Sequence, residues 1–205
     1  MARPREFDYD EVLDRAMYLF WRRGYQATSI TDIESATGLT KGSIYKAFDN
    51  KRNLFVKCLE RYMVNESYKA ILLRHADRPI AEAFGHVLDV LIDSVGGPDR
   101  PCGCLATNII DELVSVDKGL LRKASQGLAG MQLVMEARLR SAKEQGELRP
   151  DTNVETLASL LMVTLQGLVV LSMSTKDVAS MRRARDFVIG VVENSSVAHR
   201  KVHVL

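Results

Sequence analysis

Four basic residues lie between Thr37 and Arg52, and this stretch contains one acidic residue, Asp49. The basic residues are Lys41, Lys46, Lys51 and Arg52. The net charge of the whole 205-residue chain is only +2, because 28 Lys and Arg residues nearly balance 26 Asp and Glu residues. Any binding of nucleic acid is therefore expected to be local, through contacts with phosphate oxygens and base edges.

Two helices are predicted to precede these basic side chains. The first runs from Asp8, a good helix cap, to about Arg23. The second is short: Thr31 is expected to cap it, Glu34 to complete a capping box, and Gly38 to end it. Such a short helix ending in a tight turn leads directly into the basic segment.

A third helix is predicted over residues 42–48, where Ile44 and Phe48 face inward because they lie four residues apart. The residues left on its outer face are Ser43, Tyr45 and Lys46. Two short helices joined by a turn, the second with a polar and basic outer face, form the motif that enters the major groove of DNA. The segment therefore predicts a helix-turn-helix.

A fourth helix is predicted from Lys51 to about Arg74. At its start, the charges of Lys51 and Arg52 and the free backbone N–H groups can face a phosphate together. Arg3 and Arg5 could add an N-terminal arm that contacts phosphates or the minor groove.

The run from Thr28 to Phe55 closely resembles the signature of the TetR family of helix-turn-helix regulators. It reads TSITDIESATGLTKGSIYKAFDNKRNLF. Upstream residues that also match are Ala16, Phe20, Gly24 and Tyr25. The resemblance covers residues 8 to 60, and the remainder of the chain matches only in its layout.

This resemblance implies a ligand-responsive transcription regulator of the repressor type. Such a protein binds a palindromic operator as a homodimer and is released by a small-molecule effector. The DNA-binding residues that the resemblance implies are Thr28, Thr31, Lys41, Gly42, Ser43, Tyr45, Lys46 and Lys51.

The predicted fold is all-α with about nine helices, because apolar residues recur at helical spacing and no stretch alternates as a strand does. The resemblance implies that an N-terminal three-helix helix-turn-helix domain precedes a C-terminal helical ligand-binding and dimerisation domain. The predicted domains are 1–52 for DNA binding, 53–74 for a long connecting helix, 75–194 for effector binding and dimerisation, and 195–205 for a flexible tail.

Apolar residues in the last two predicted helices recur three and four positions apart and suit pairing with a second copy of the chain. The residues predicted at a dimer interface are Leu157, Leu161, Leu165, Leu168, Phe187 and Val191. The alternative is that they only fill the core of the monomer, since periodicity does not show what covers an apolar stripe.

An effector site is predicted in the region from about residue 75 to 194, with Tyr62 added from the connecting helix. Its candidate residues are Tyr62, Phe84, Leu88, Cys104, Asn108, Met131, Met135 and Gln166. Met and aromatic residues at helical spacing are usually core residues, so most of this set is expected to serve packing.

Cys102 and Cys104 precede a helix predicted over residues 105–115, whose N-terminus would lower the pKa of a thiol. An alternative function is therefore a regulator that senses thiol oxidants or electrophiles through Cys104 and Cys102. The commoner role of a free cysteine is a small buried apolar side chain. Metal ligation is disfavoured because no His lies nearby in the sequence.

Other classes of function receive less support. A small helical enzyme would need a nucleophile beside a base, or a metal cluster, and the sequence shows neither, so no enzyme activity, metal or cofactor is predicted. A DNA-binding scaffold protein without a ligand remains a further alternative. The N-terminus does not resemble a secretory signal, which predicts a cytoplasmic protein. Residues 154–173 are strongly apolar, but interruptions such as Glu155 and Gln166 predict a buried helix rather than a membrane span.

Overall fold

The computed structural model describes residues 7–97, 101–114 and 116–197, with the backbone alone at Asp111. In these ranges all regular structure is helical, as predicted. The helices are α1 (Tyr9–Arg23), α2 (Ile30–Thr37), α3 (Lys41–Phe48), α4 (Lys51–Asn65), α5 (Tyr68–Arg74), α6 (Ile80–Asp93), α7 (Leu105–Asn108), α8 (Ile110–Val114), α9 (Lys118–Glu144), α10 (Val154–Met173) and α11 (Val178–Asn194). The predicted arm residues Arg3 and Arg5 lie outside the described ranges.

Two predicted helices are each divided in two, which raises the number of helices in the described ranges to eleven. The prediction of one helix from Lys51 to Arg74 was wrong: α4 ends because the N–H groups of Glu66 and Ser67 both donate to the carbonyl of Tyr62. The helix predicted over 105–115 breaks at Ile109 between α7 and α8. Neither break carries Gly or Pro, so no breaker residue marks it in the sequence.

The chain divides into two compact units that do not follow the order of the sequence. The first unit joins Met1–Ser67 to Cys104–Gln126, and the second joins Tyr68–Gly103 to Gly127–Leu205. Helices α7 and α8 and the start of α9 therefore belong to the same unit as α1–α4. The predicted division into functional domains, with an effector domain over residues 75–194, remains a prediction.

Aromatic side chains hold α1 against α4 in the first unit. The rings of Phe20 and Phe55 meet edge to face with centroids 5.0 Å apart, and Trp21 and Tyr62 do so at 4.9 Å. All four side chains are buried. Burial of a phenylalanine side chain contributes about 1.5–3 kcal/mol, so this cluster stabilises the packing of the two helices that flank α2 and α3.

Helix α10 packs against α6 and α11 in the second unit. It contains an 18-residue stretch with a mean hydropathy of 1.9, enough by length and composition alone to cross a membrane. One face, however, is covered inside this unit, where Leu157, Leu161, Leu165 and Leu168 are all buried. Packing on neighbouring helices accounts for the apolar composition of that face.

The first residues of the tail predicted over 195–205 are held by hydrogen bonds. Ser195 accepts a hydrogen bond from the backbone N–H of Arg149, and Val197 donates one to the carbonyl of Glu147. An isolated antiparallel bridge pairs Leu148 with Ser196. The prediction was therefore wrong for residues 195–197, and residues 198–205 lie outside the described ranges.

Candidate nucleic-acid interface

The capping box of α2 lies two residues before the predicted position. Ser29, not Thr31, is the N-cap: its hydroxyl accepts from the N–H of Asp32, and the Asp32 carboxylate accepts from the N–H of Ser29. Arg23 donates to the other oxygen of Asp32 at 2.5 Å. The Ser29 hydrogen bonds, assisted by Arg23, lower the pKa of Asp32 to about 2. The end of α1 is thereby tied to the start of α2.

The turn between α2 and α3 is fixed at both sides. Gly38 ends α2 with a φ of 74°, a left-handed conformation that glycine adopts readily. The carboxylate of Glu34 accepts from the backbone N–H of Lys41 at 2.6 Å. Thr40 caps α3 by accepting from the N–H of Ser43 at 3.3 Å. The two short helices are therefore held by specific polar contacts as well as by packing.

The faces of α3 are those that the sequence predicted. Ile44 and Phe48 are buried, and the ring of Tyr9 stacks on Phe48 with centroids 5.3 Å apart. Lys41, Gly42 and Lys46 are exposed, Tyr45 is 39% exposed, and Ser43 is half-buried. An eight-residue helix with this free face can present small, basic and hydroxyl-bearing groups to a groove.

The two threonines predicted near phosphates differ in their placement. Thr28 is fully buried and its hydroxyl donates to the carbonyl of Gly24 at 2.7 Å. Its predicted role as a DNA contact was wrong for the side chain, which stabilises the α1–α2 turn instead. Thr31 is exposed on the first turn of α2.

Lys51 at the start of α4 is half-buried, and its ammonium lies 4.5 Å from the centroid of the Tyr25 ring. Burial lowers the pKa of Lys51, while the charge of Glu112 acts in the opposite direction. Arg52 is exposed but paired, because its guanidinium forms two hydrogen bonds with the carboxylate of Asp117. Both cations are therefore positioned by neighbours that sequence reasoning did not assign.

The predicted dimer-interface residues separate into two groups. Leu157, Leu161, Leu165 and Leu168 are buried within the second unit, so the prediction that they meet a second copy was wrong and the alternative of core packing holds for them. Phe187 is 76% exposed and Val191 is half-buried.

A different face of α10 is apolar and exposed. Its members are Leu160, Val163, Gly167 and Val170, at spacings of three and four residues, and Val163 is 70% exposed. A helix that is apolar on all sides needs partners on all sides. The sequence contained this signal, because the second stripe has the same periodicity as the leucine stripe. The outer face of α11 adds Phe187, and we call these five residues the outer α10–α11 face.

Three of the predicted effector-site residues meet in the first unit. The hydroxyl of Tyr62 donates to Sγ of Cys104 at 3.1 Å. The side-chain oxygen of Asn108 accepts from the backbone N–H of Cys104 at 3.3 Å. Tyr62 and Cys104 are buried and Asn108 is half-buried.

The other five lie in the second unit. Phe84 and Leu88 are buried four residues apart on α6, and Met131 and Met135 are buried four residues apart on α9. Gln166 is half-buried on α10. The two pairs each occupy one helix face, which is the arrangement expected of core residues and of the apolar wall of a pocket alike.

The three cysteines are free thiols in different surroundings. Cys58 is fully buried and burial raises its pKa well above the usual range. Cys102 is half-buried and donates to the carbonyl of Ser94 at 3.5 Å. Cys104 caps α7, which is only four residues long. In the ranges that the structure covers, no group of three His, Cys, Asp or Glu could hold a metal ion.

Comparison with known proteins assigns the whole arrangement to one family. Residues 12–58 match the family described as bacterial regulatory proteins, tetR family, and residues 82–188 match the tetracyclin repressor-like C-terminal domain. The HTH-type transcriptional repressor ComR of Escherichia coli is 32% identical over 184 residues, covering 89% of this chain and 86% of ComR. The chain belongs to the TetR family. The predicted class, a helix-turn-helix transcription regulator with an all-α fold, is confirmed.

Other TetR-family proteins are similar over nearly the full length. The uncharacterized HTH-type transcriptional regulator YezE of Bacillus subtilis is 29% identical, with 92% of this chain and 96% of YezE covered. A cysteine mutant of the TetR family regulator CifR, solved in complex with a 26-base-pair operator DNA, is 28% identical. Its TM-score is 0.73, with 95% of this chain and 97% of that chain covered. The TetR fold therefore extends through both units of the chain.

Proposed function

We propose that this TetR-family chain is a repressor that binds a palindromic operator as a homodimer and leaves it when a small-molecule effector binds. The observation that carries the proposal is the free face of α3, on which Lys41, Tyr45 and Lys46 are exposed while Ile44 and Phe48 anchor the helix. A regulator of this kind acts on chromosomal DNA, so the proposed location is the cytoplasm.

The proposed DNA contacts divide by chemistry. Tyr45 and Lys46 reach base edges or phosphates from the middle of α3, and Gly42 and Ser43 allow the start of the helix to approach the duplex closely. Lys41, Thr31 and Lys51 contribute to phosphate binding. Support also comes from CifR, which is similar over 95% of this chain and was solved with operator DNA.

The proposed homodimer pairs the outer α10–α11 face with its copy. Val163 and Phe187 are 70% and 76% exposed, an unfavourable state for large apolar side chains in water. Side chains added at Gly167 or Gly190 would meet nothing within 4 Å, so the glycines leave room for close approach of a partner helix. To bind a palindromic operator, such a homodimer must present its two α3 helices about 34–36 Å apart, one helical turn of DNA.

The proposed effector is a small, mainly apolar organic molecule. Support comes from the aromatic and methionine side chains of Phe84, Met131 and Met135, a composition typical of such sites. An effector that prefers the non-binding arrangement by about 1–3 kcal/mol would weaken operator binding about 5–150-fold, and operator would weaken effector binding equally.

Thiol sensing is a second candidate function, supported by one observation. The phenol of Tyr62 donates a hydrogen bond to Sγ of Cys104 at 3.1 Å, so the sulfur has a polar neighbour as well as an apolar setting. The burial of Cys104 opposes this candidate, because a reagent must reach the sulfur. We therefore rank it below release by a non-covalent effector.

Selection of bound DNA from a random library tests the proposed function. The full-length protein is incubated with the library at moderate salt, and enriched sequences are expected to contain an inverted repeat. Titration by fluorescence anisotropy should then give at least about 1,000-fold tighter binding to the repeat than to a scrambled duplex. The double variant Tyr45→Ala and Lys46→Ala should lose this preference but keep its helical circular dichroism, because both side chains are exposed. Equal binding of both duplexes by the wild-type chain would refute the proposal.

A further inference from the structure

Two carboxylates from outside the helix-turn-helix form hydrogen bonds with the segments that directly precede α2 and directly follow α3. Glu112 on α8 contacts the turn between α1 and α2, and Asp117 before α9 contacts the first turn of α4. All of these residues belong to the first compact unit. The unit is therefore not completed by residues 1–67 alone.

Asp117 joins two helices through one side chain. Its oxygens accept from Nε and Nη2 of Arg52 at 2.5 and 3.2 Å. Oδ1 also accepts from the backbone N–H groups of Gly119 and Leu120 at 2.9 and 3.0 Å, which caps the start of α9. Together these hydrogen bonds lower the pKa of Asp117 to about 2. The first turn of α9 and the first turn of α4 are thus joined by the same carboxylate.

Glu112 makes the matching contact at the other side. Its Oε2 accepts from the backbone N–H of Gln26 at 2.9 Å, and its own carbonyl accepts from the Gln26 side-chain amide at 3.2 Å. These bonds form directly beside Gly24, which ends α1 with a φ of 85°. The α1–α2 turn is thereby held by both the side chain and the backbone of one residue.

Each contact depends on a glycine that leaves space for the charged group. A Cβ at Gly24 would overlap the carboxylate of Glu112, and a Cβ at Gly119 would lie 2.8 Å from Nη2 of Arg52. One glycine belongs to the helix-turn-helix segment and the other to α9. At both contacts the fit depends on shape as well as on charge, because a charged group lies where a side chain on the glycine would be. The ion pair of Lys123 and Glu60, by contrast, is exposed.

We propose that Glu112 and Asp117 are positioning residues for DNA recognition that set the orientation of α3 from outside the helix-turn-helix. They contact no DNA themselves. In the homodimer a firmly held α3 would make the chain selective for the spacing of operator half-sites, because a loosely held α3 can adapt to more than one spacing. This inference rests on the proposed function, but its local part is testable without DNA.

The variant Asp117→Ser tests the proposal, because serine caps a helix as well as aspartate does but is too short to hold Arg52. Glu112→Ala removes the side-chain hydrogen bond to the N–H of Gln26, keeps the backbone carbonyl that accepts from the Gln26 amide, and introduces a residue type that favours helix. Glu60→Gln is the matched control: it removes one negative charge and one ion pair between α4 and α9, outside the two contacts described above. All three are made in the full chain.

Hydrogen exchange of the free protein is the first measurement. Asp117→Ser is expected to speed exchange of amides in residues 50–54, and Glu112→Ala in residues 24–28, each about ten-fold, while Glu60→Gln matches the wild type. No DNA is present, so this result is independent of the proposed function. Unchanged exchange in both variants would overturn the proposal.

Operator spacing is the second measurement. Insertion of one base pair between the half-sites of the selected repeat should weaken wild-type and Glu60→Gln binding about 30-fold, and Asp117→Ser binding only about 3-fold. A merely structural role would lower affinity for both spacings equally. The ratio of affinities for the original and the lengthened repeat decides the outcome. If Asp117→Ser exchanges faster but keeps the wild-type ratio, the proposal is overturned. It is also overturned if Glu60→Gln lowers this ratio as much as Asp117→Ser does.

Discussion

The carboxylate of Glu34 on α2 accepts a 2.6 Å hydrogen bond from the backbone N–H of Lys41, the first residue of α3. This bond uses a free N–H at the start of α3 to fix the angle between the two helices. Glu34→Ala should therefore weaken operator binding about 5–10-fold, since a bond to a charged acceptor contributes about 1.5–3 kcal/mol and this one is partly exposed. Fluorescence anisotropy with the selected operator measures the change.

The control for this prediction is Glu34→Gln, which keeps an acceptor oxygen while removing the same negative charge. It should bind at least as tightly as the wild type, because less negative charge then faces DNA. If the alanine and glutamine variants bind equally, charge alone decides the effect and the positioning role of Glu34 is wrong.

Phe187→Glu is expected to separate the proposed dimer into monomers. The side chain is 76% exposed within one chain, so the charge costs little in the monomer but is buried in a paired interface. Sedimentation equilibrium at micromolar concentration should show the monomer mass of 22.9 kDa, and operator affinity should fall at least about 100-fold. Leu133→Glu is the matched control, because Leu133 is 65% exposed on a different helix, α9, and is not one of the five residues of the outer α10–α11 face. A dimeric Phe187→Glu protein would contradict the prediction.

The charge of Lys46 is expected to act mainly on phosphate. In Lys46→Gln, the slope of log K against log salt concentration should be smaller by about 0.9 per subunit, because one fewer counterion is released. Titrations at four salt concentrations between about 50 and 300 mM measure the slope. Lys57→Gln, at an exposed position already paired with Glu60, should leave it unchanged. A Lys46 variant with the wild-type slope would remove this residue from the set of phosphate contacts.

Acid should weaken the helix-turn-helix through Asp32. Its pKa is lowered from 3.8 to about 2 by the hydrogen bonds of Ser29 and by Arg23. In this window the unfolded chain binds more protons, so the free energy of unfolding falls as pH drops from about 4 to about 2. Urea unfolding at several pH values in this window gives the number of protons taken up on unfolding. Asp32→Asn should take up about one proton fewer than the wild type. The prediction is wrong if both proteins have the same pH slope.

The thiols should react in the order of their exposure. N-ethylmaleimide followed by mass spectrometry is expected to modify Cys102 at least about ten-fold faster than Cys104, and Cys58 slowest, because Cys58 is fully buried with a raised pKa. Denaturation in urea should abolish these differences. If Cys104 instead reacts first and its modification releases operator DNA from the wild type but not from Cys104→Ala, thiol sensing replaces the non-covalent effector as the preferred mechanism.

Local rules allowed much of the DNA-binding half to be predicted. The spacing of Ile44 and Phe48 identified the buried face of α3 because helical periodicity is a local property. The same rules misplaced the α2 cap, since both Ser29 and Thr31 have an acidic residue three positions on, and only the path of the α1–α2 turn selects one of them. The prediction that the Thr28 side chain contacts DNA was wrong for a related reason, because its burial depends on how that turn folds back on Gly24.

The sequence by itself determined the family, the all-helical class and the exposed surface of α3 that we propose faces DNA, because each depends on residue types at short spacing. Tertiary structure decided which of the two apolar stripes of α10 is buried and which carries exposed Val163, since periodicity is identical for both. It also decided that Glu112 and Asp117 support the helix-turn-helix. Those partners lie 86 and 65 residues from Gln26 and Arg52, and contacts at such separations follow only from how the helices pack.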